Sequence, residues 1–209
     1  MAVRGQELTD SDLECIAPKR TVRSGDVAHA RTASGHCSRP FIPGAGGFKR
    51  GGEEAQLCLL CHKPGPGYAA LLEAQPVKYM VAQVVAIKTG KRTLYEGMRV
   101  NVANLSSRDI ADIAEYLSKR PPHVGLFSPD PVKAAAGEKR VSELKCATCH
   151  QPAFQGADAN PRLAGQVPRY LVQEMEDINA GRRQHPPSGL SSAKGDDIEN
   201  IAGYLSALK

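Results

Sequence analysis

The sequence has few of the bulky aromatic residues that usually fill the core of a globular protein. Among its 209 residues Trp is absent and aromatic residues make up only 5%, although apolar residues reach 41%. Charged residues are 23% of the chain and mixed in sign, which argues against a wholly disordered polypeptide. Because the side chains supply so little bulk, we expect another apolar body to help fill the interior.

Long apolar segments are also absent. No run approaches the roughly 20 apolar residues that a membrane-spanning helix needs, so the sequence excludes a transmembrane protein. The first residues contain no apolar stretch of about 7–15 residues, and so show no secretory signal peptide. The net charge of +5 is modest, and no basic stripe with interleaved aromatics is present, so we expect no nucleic-acid partner.

What the sequence does contain is a repeated cysteine–histidine motif. C-x-x-C-H occurs twice, as CLLCH from position 58 and as CATCH from position 146. This motif attaches c-type haem: two thiols add to the two vinyl groups of the porphyrin, and the next residue, histidine, lies under the iron as its proximal ligand. The sequence therefore predicts two covalently bound haem c groups, held by Cys58, Cys61, His62, Cys146, Cys149 and His150.

Zinc and a redox dithiol are the two alternatives for these cysteines. A structural zinc site needs four ligands, whereas each motif supplies three in a row, and a site made of all four cysteines would leave both histidines idle. A thioredoxin-like C-x-x-C needs a βαβ setting, and no segment of the sequence alternates as strands do. Haem is the interpretation that uses every residue of the motif.

The two motifs lie in two similar halves of the chain. Residues 75–79 match residues 166–170, and residues 109–117 match residues 197–205. Each half predicts three helices, at about 53–60, 76–89 and 107–119 in the first and at about 133–148, 167–180 and 195–208 in the second. We therefore predict an all-α protein with an N-terminal segment of unassigned role (1–45), domain 1 (46–120), a Pro-rich linker (121–131) and domain 2 (132–209).

The second half resembles the class I cytochromes c. Its C-x-x-C-H is followed by PRLAGQ at 161–166, YL at 170–171, GRR at 181–183 and a closing helix that ends in YL at 204–205. Two such domains in tandem resemble the dihaem cytochrome c4 family of periplasmic electron carriers. The resemblance implies two tandem class I cytochrome c domains, each a small helical bundle around one covalently bound haem.

The resemblance also implies a support for the proximal histidine. In the family, the carbonyl of the proline in the P-x-L-x-G-Q pattern orients that histidine, so Pro161 is expected to hold His150 through its second ring nitrogen. The first half departs from the pattern, with Ala70 in place of the proline and Ala74 in place of the glycine. A backbone carbonyl survives the change to Ala70, but the rigidity of the proline does not.

The sixth iron ligand in the family is a methionine in the loop before the last helix. Met98 has that position in the first half. The alternative for Met98 is a loop side chain packed on apolar surface. Met80 is instead expected in the core. The second half has no methionine in the equivalent loop. Three alternatives stay open there: His185 ligates the iron, the position is open or water-filled, or Met175 reaches in from its helix.

These ligands bear on function, because Met ligation raises a haem potential relative to more basic ligands. The sequence predicts a dihaem electron carrier or electron-transfer subunit, working with redox partners such as a terminal oxidase, reductase or dehydrogenase, and associating with membrane complexes without spanning the bilayer. The alternative is a haem enzyme that uses an open second iron on a small inorganic substrate. A docking surface for an acidic partner, or merely a solvated face, is expected from Lys78, Lys88, Lys91, Arg92, Arg169, Arg182 and Arg183.

Location follows from the haem motifs, since covalent haem is attached outside the bacterial cytoplasm. We therefore expect a periplasmic protein, although no signal peptide is visible. Two interpretations remain for Cys15 and Cys37 in the N-terminal segment: a disulfide in an oxidising compartment, or sequence without a role.

Overall fold

The computed structural model describes residues 45–92, 96–186 and 188–209. Cys15 and Cys37 lie outside these ranges. The described part of the first half contains α1 (Ala45–Cys61), α2 (Val77–Lys88), α3 (Glu96–Val102) and α4 (Ser107–Ser118). The second half contains α5 (Pro131–Glu143), α6 (Ala147–His150), α7 (Pro168–Asn179), a 3₁₀ helix (Gly189–Ser192) and α8 (Asp196–Ala207).

The predicted all-α class is confirmed. The described ranges contain no strand, and their only β-type pairing is an isolated bridge between Ala157 and Asn160. The last helix of each half has the predicted amphipathic pattern, since four apolar residues of α4 are buried: Ile110, Ile113, Ala114 and Leu117. Their counterparts in α8 are buried too: Ile198, Ile201, Ala202 and Leu205.

Several helix boundaries differ from the prediction. α1 already includes Ala45, whereas the prediction placed its start near residue 53. The helix expected over 133–148 is two helices, because Lys145 has a left-handed backbone with φ of 56° that interrupts the hydrogen-bond ladder. α3 and the 3₁₀ helix were not predicted, since elements of four to seven residues carry too little periodicity to be read from sequence.

Each half packs its first helix across its last, and a glycine makes the crossing possible. A Cβ at Gly51 of α1 would clash with the backbone carbonyl of Asp112 in α4. A Cβ at Gly137 of α5 would clash in the same way with the carbonyl of Asn200 in α8. Because these helices fix both ends of each half, the crossing positions the C-terminal end of α1 and the turn that follows α5, where the haem motifs lie.

Each half also has a hydrophobic core of its own. The first core is formed by Ala55, Tyr79, Met80, Val81, Val85, Ile110, Ile113, Ala114 and Leu117. The second core is formed by Val141, Phe154, Ala164, Leu171, Met175, Ala193, Ile198, Ile201, Ala202 and Leu205.

Paired glutamine contacts join the two halves with an approximate two-fold symmetry. The side chain of Gln166 accepts from the N–H of Leu71 (2.7 Å) and donates to its carbonyl (3.0 Å). The side chain of Gln75 makes the same two bonds to the backbone of Arg162, each 3.0 Å long. The 91-residue spacing of the repeat relates Gln75 to Gln166 and Leu71 to Arg162, so the two pairs are equivalent.

Candidate haem sites

Both C-x-x-C-H motifs bring their first cysteine and their histidine together by one helical turn. The N–H of His62 donates to the carbonyl of Cys58 (3.0 Å), and the N–H of His150 donates to that of Cys146 (3.1 Å). The first motif closes the long helix α1, whereas the second occupies the separate turn α6. Despite these different settings, the i-to-i−4 bond gives both motifs the same local geometry.

Each motif histidine is fixed by a backbone carbonyl. Nδ1 of His62 lies 2.7 Å from the carbonyl oxygen of Ala70, and Nδ1 of His150 lies 2.9 Å from that of Pro161. A carbonyl oxygen only accepts, so Nδ1 carries the proton and donates. Nε2 is therefore the nitrogen with a free lone pair in both rings, as a metal-ligating histidine requires.

The surroundings keep both imidazoles neutral. Burial lowers the pKa of His62, opposed by its hydrogen bond to Ala70 and by the charge of Glu73. Burial likewise lowers the pKa of His150, where the Pro161 carbonyl opposes the shift and the charges of His185 and Arg183 add to it. A neutral imidazole is the form that binds a metal.

None of the four motif cysteines forms a disulfide. Burial raises the pKa of Cys58 and of Cys146, the first cysteine of each motif. A redox-active C-x-x-C has the opposite property, a lowered pKa that supplies a thiolate. Within the described ranges no three His, Cys, Asp or Glu side chains gather as a zinc site would need. The donor set therefore fits haem c, which requires two thiols and an axial imidazole at each motif.

The methionines have distinct positions. Met98 is half-buried in α3, a seven-residue helix that packs against α2, rather than in the loop that the sequence suggested. Met80 is confirmed as a residue of the first core. Met175, one of the three alternatives for the second iron, is buried in the second core on α7.

The structure brings His185 close to His150, the histidine of the second motif. The ring centroids of His150 and His185 are 6.3 Å apart, and the ring planes differ by 20°. Nδ1 of His185 lies 2.8 Å from the carbonyl oxygen of Pro186, and the hydroxyl of Ser188 lies 3.3 Å from the same nitrogen. His185 thus also leaves Nε2 as its free nitrogen.

A buried polar cluster that the sequence did not predict lies between the halves. Arg92 donates to Glu174 (2.5 Å) across the interface, and Arg183 donates to Tyr79 (2.8 Å) and to Glu174. Burial raises the pKa of Tyr170, the counterpart of Tyr79, and the neighbouring Tyr79 adds to this shift. The signal in the sequence was the repeat itself: Tyr79 and Tyr170 are 91 residues apart, and so are Arg92 and Arg183.

This cluster corrects part of the predicted docking surface. The side chains of Arg92 and Arg183 are only 10% and 14% exposed, so the expectation that they face an acidic partner is wrong. Lys78 also contacts the other half, through Asp158 (2.6 Å). Arg169 and Arg182 remain on or near the surface and leave a smaller basic face.

Comparisons with known proteins agree with this geometry. The family model for cytochrome c matches residues 134–209. Cytochrome c4 of Pseudomonas aeruginosa is 31% identical over 182 residues, which cover 78% of this chain and 90% of that protein. No helix among the described residues is long and apolar enough to cross a bilayer.

Solved structures show the same relationship. Reduced cytochrome c4 from Pseudomonas stutzeri matches with a TM-score of 0.69 at 27% identity, over 78% of this chain and 98% of that one. Thiosulfate dehydrogenase from Marichromatium purpuratum matches with a TM-score of 0.66 at 26% identity, over 78% of this chain but 40% of that one. Two C-x-x-C-H motifs, one in each helical half, correspond to two covalently bound haem c groups. The chain belongs to the cytochrome c4 family and is a dihaem class I cytochrome that transfers electrons.

Proposed function

We propose that this cytochrome carries electrons between redox proteins in the periplasm, using one haem in each of two domains. The observation that carries the proposal is the matched pair of imidazoles, each one turn after a cysteine and each fixed through Nδ1 by a carbonyl. Haem c, when bound, supplies an iron centre that gains and loses one electron. The protein's part is to hold that centre with little rearrangement.

The residue roles follow from the positions described above. His62 and His150 are the proximal ligands, and Ala70 and Pro161 orient them through their carbonyls. Met98, half-buried in α3, is the distal ligand of the first haem. The covalent anchors are Cys58, Cys61, Cys146 and Cys149.

The domain limits are part of the same proposal. Separate cores within residues 55–117 and 141–208 support domain 1 at 46–120 and domain 2 at 132–209, joined by the linker 121–131. The buried contacts of Gln75 and Gln166 hold the two haem-binding domains in a fixed relation. A fixed relation suits electron exchange between haems, because transfer depends steeply on distance.

The likeness to a thiosulfate dehydrogenase supports a dehydrogenase as the electron donor. A reductase or a terminal oxidase of a membrane complex is the matching kind of acceptor. The periplasmic location is supported by the haem attachment chemistry, which takes place outside the bacterial cytoplasm.

The test is maturation in a host that attaches haem c, with export directed by an added leader. We expect two haems per chain by pyridine haemochrome analysis and by mass. The reduced protein should then be reoxidised by membranes that contain a terminal oxidase, in a stopped-flow experiment. A chain without haem, or a reduced protein that such membranes do not reoxidise, would contradict the proposal. Turnover of thiosulfate by the isolated protein would instead support the enzyme alternative.

A further inference from the structure

We propose that His185 is the distal axial ligand of the second haem, so that this iron has two imidazole ligands whereas the first has His62 and Met98. The inference rests on the proposed function, because it requires haem at the second C-x-x-C-H motif. It departs from the methionine that the family resemblance implies at the sixth position. It also selects one of the three alternatives that the sequence leaves open.

The first step of the argument is the separation of the two rings. A metal–imidazole bond is about 2.0 Å long and a ring nitrogen lies about 1.1 Å from its ring centre, so two imidazoles on opposite sides of one metal have centroids about 6.2 Å apart. The centroids of His150 and His185 are 6.3 Å apart. The space between the rings therefore has the size that one iron atom with two axial imidazoles requires.

The second step is the orientation of the rings. His150 uses Nδ1 on the carbonyl of Pro161, and His185 uses Nδ1 on the carbonyl of Pro186. Each ring thus has Nε2 left for a metal, and each has the backbone support that ligating histidines usually receive. Two bracing contacts at His185, from Pro186 and Ser188, distinguish it from a freely solvated loop histidine.

The third step is the position of the competing ligands. The chain has four methionines, and each of the three that the structure describes has a position of its own in a core or a helix. Met80 belongs to the first core, Met98 to α3 of the first half and Met175 to the second core. An open sixth position is also disfavoured, since the centroid of the His185 ring lies at the distance from the His150 ring that a sixth imidazole ligand would have.

The consequence is an electron carrier with two unequal haems. An imidazole is a better electron donor to iron than a thioether, and so stabilises the ferric state of the second haem relative to the first. At equilibrium, a single electron added to the protein should reside on the first haem. The second haem should therefore be the last to be reduced and the first to be oxidised.

The experiment uses the matured dihaem protein and its variants, with spectroscopy rather than activity as the readout. The ferric wild type should show one sulfur-to-iron charge-transfer band, which Met98→Ala removes entirely. It should also show a rhombic low-spin EPR signal from two near-parallel imidazoles, since the ring planes differ by only 20°. His185→Ala should leave the charge-transfer band, produce one high-spin haem that binds carbon monoxide when reduced, and return to low spin when free imidazole is added.

His185→Met and His123→Ala complete the test. His185→Met should double the charge-transfer band and raise the lower of the two potentials. His123→Ala, at a histidine that pairs with Glu73, should change neither the spectrum nor the potential of the second haem. The inference is overturned if His185→Ala keeps two low-spin haems, or if the wild type already binds carbon monoxide at one haem. A chain without haem would overturn the proposed function instead, and the haem count separates the two failures.

Discussion

His62 and His150 are held alike although different residues hold them. The acceptor in both halves is a main-chain carbonyl, contributed by Ala70 in one and by Pro161 in the other. A carbonyl is available from any residue, so the hydrogen bond does not depend on the proline ring. The ring instead restricts the backbone and lowers the entropy of the unfolded chain.

Pro161→Ala tests this separation of roles. Because the carbonyl remains, we expect both haems to stay low-spin, while the free energy of unfolding falls by about 1 kcal/mol or less. Guanidinium denaturation of the holoprotein, followed by the Soret band and by circular dichroism, measures the change. Pro152→Ala, at an exposed proline near the same motif, is the control and should cost a similar amount. A high-spin second haem in Pro161→Ala alone would show that the ring itself is needed.

The site residues that lie close together in the sequence, those of the two C-x-x-C-H motifs, could be predicted. The distant candidate ligand, His185, stayed one of three alternatives. Each C-x-x-C-H motif is local, so its spacing already defines the helical turn that the structure shows. The proposed distal ligand of the second haem depends on loop lengths, which place the counterpart of Met98 anywhere between Pro186 and Gly189. His185 lies just outside that interval, and only the folded loop brings its ring opposite His150.

At the scale of elements, the crossing of first and last helices depends on the absence of a side chain. Gly51 and Gly137 allow the main chains of two helices to meet without a Cβ between them. Alanine would ordinarily stabilise a helix by up to about 1 kcal/mol relative to glycine. The glycines therefore indicate that close packing outweighs helix propensity here.

Gly137→Ala should destabilise domain 2 despite the gain in helix propensity. The added methyl would collide with the carbonyl of Asn200, and we expect the free energy of unfolding to fall by about 1–3 kcal/mol. Thermal denaturation of the holoprotein measures it. Gly65→Ala is the matched control, because a Cβ there meets nothing within 4 Å. An unchanged or raised melting temperature for Gly137→Ala would contradict the close crossing.

The long amphipathic helices were predictable, whereas the interruptions were not. α4 and α8 carry apolar residues at helical spacing, and burial of that face follows directly. The break at Lys145 depends on a left-handed backbone conformation at a residue type that seldom adopts it. The pattern of apolar residues predicts which face of a helix is buried, but it does not predict a single residue with a left-handed backbone that interrupts the helix.

At the scale of the whole molecule, two glutamines contribute paired hydrogen bonds to the interface between the domains. Each satisfies both the N–H and the carbonyl of one residue in the other half. Gln166 and Leu71 are buried, so neither group has water as a substitute partner. Buried polar groups that lose their partners carry a large cost, which makes this contact sensitive to substitution.

Gln166→Leu should therefore weaken the joint between domains. It leaves the backbone N–H and carbonyl of Leu71 unpaired, at an expected cost of about 1–3 kcal/mol for each buried group. We expect calorimetry of the holoprotein to show two separated transitions where the wild type shows one. Gln173→Leu, at an exposed glutamine on α7, should leave the transition intact. A single unshifted transition in Gln166→Leu would contradict this account of the interface.

The two-fold relation between the domains is broken at one position in the buried polar cluster. Gln83 and Glu174 are counterparts in the repeat: Gln83 accepts from Arg92, whereas Glu174 accepts from both Arg92 and Arg183. A symmetric dimer of separate chains would have to place two glutamines or two glutamates there. Together with the two arginines, the formal charge of the cluster would then be +2 or zero. Because the two domains are unequal copies within one chain, the cluster has a single carboxylate and a formal charge between those two values. The covalent linkage therefore allows a charge at the domain interface that a symmetric dimer could not have.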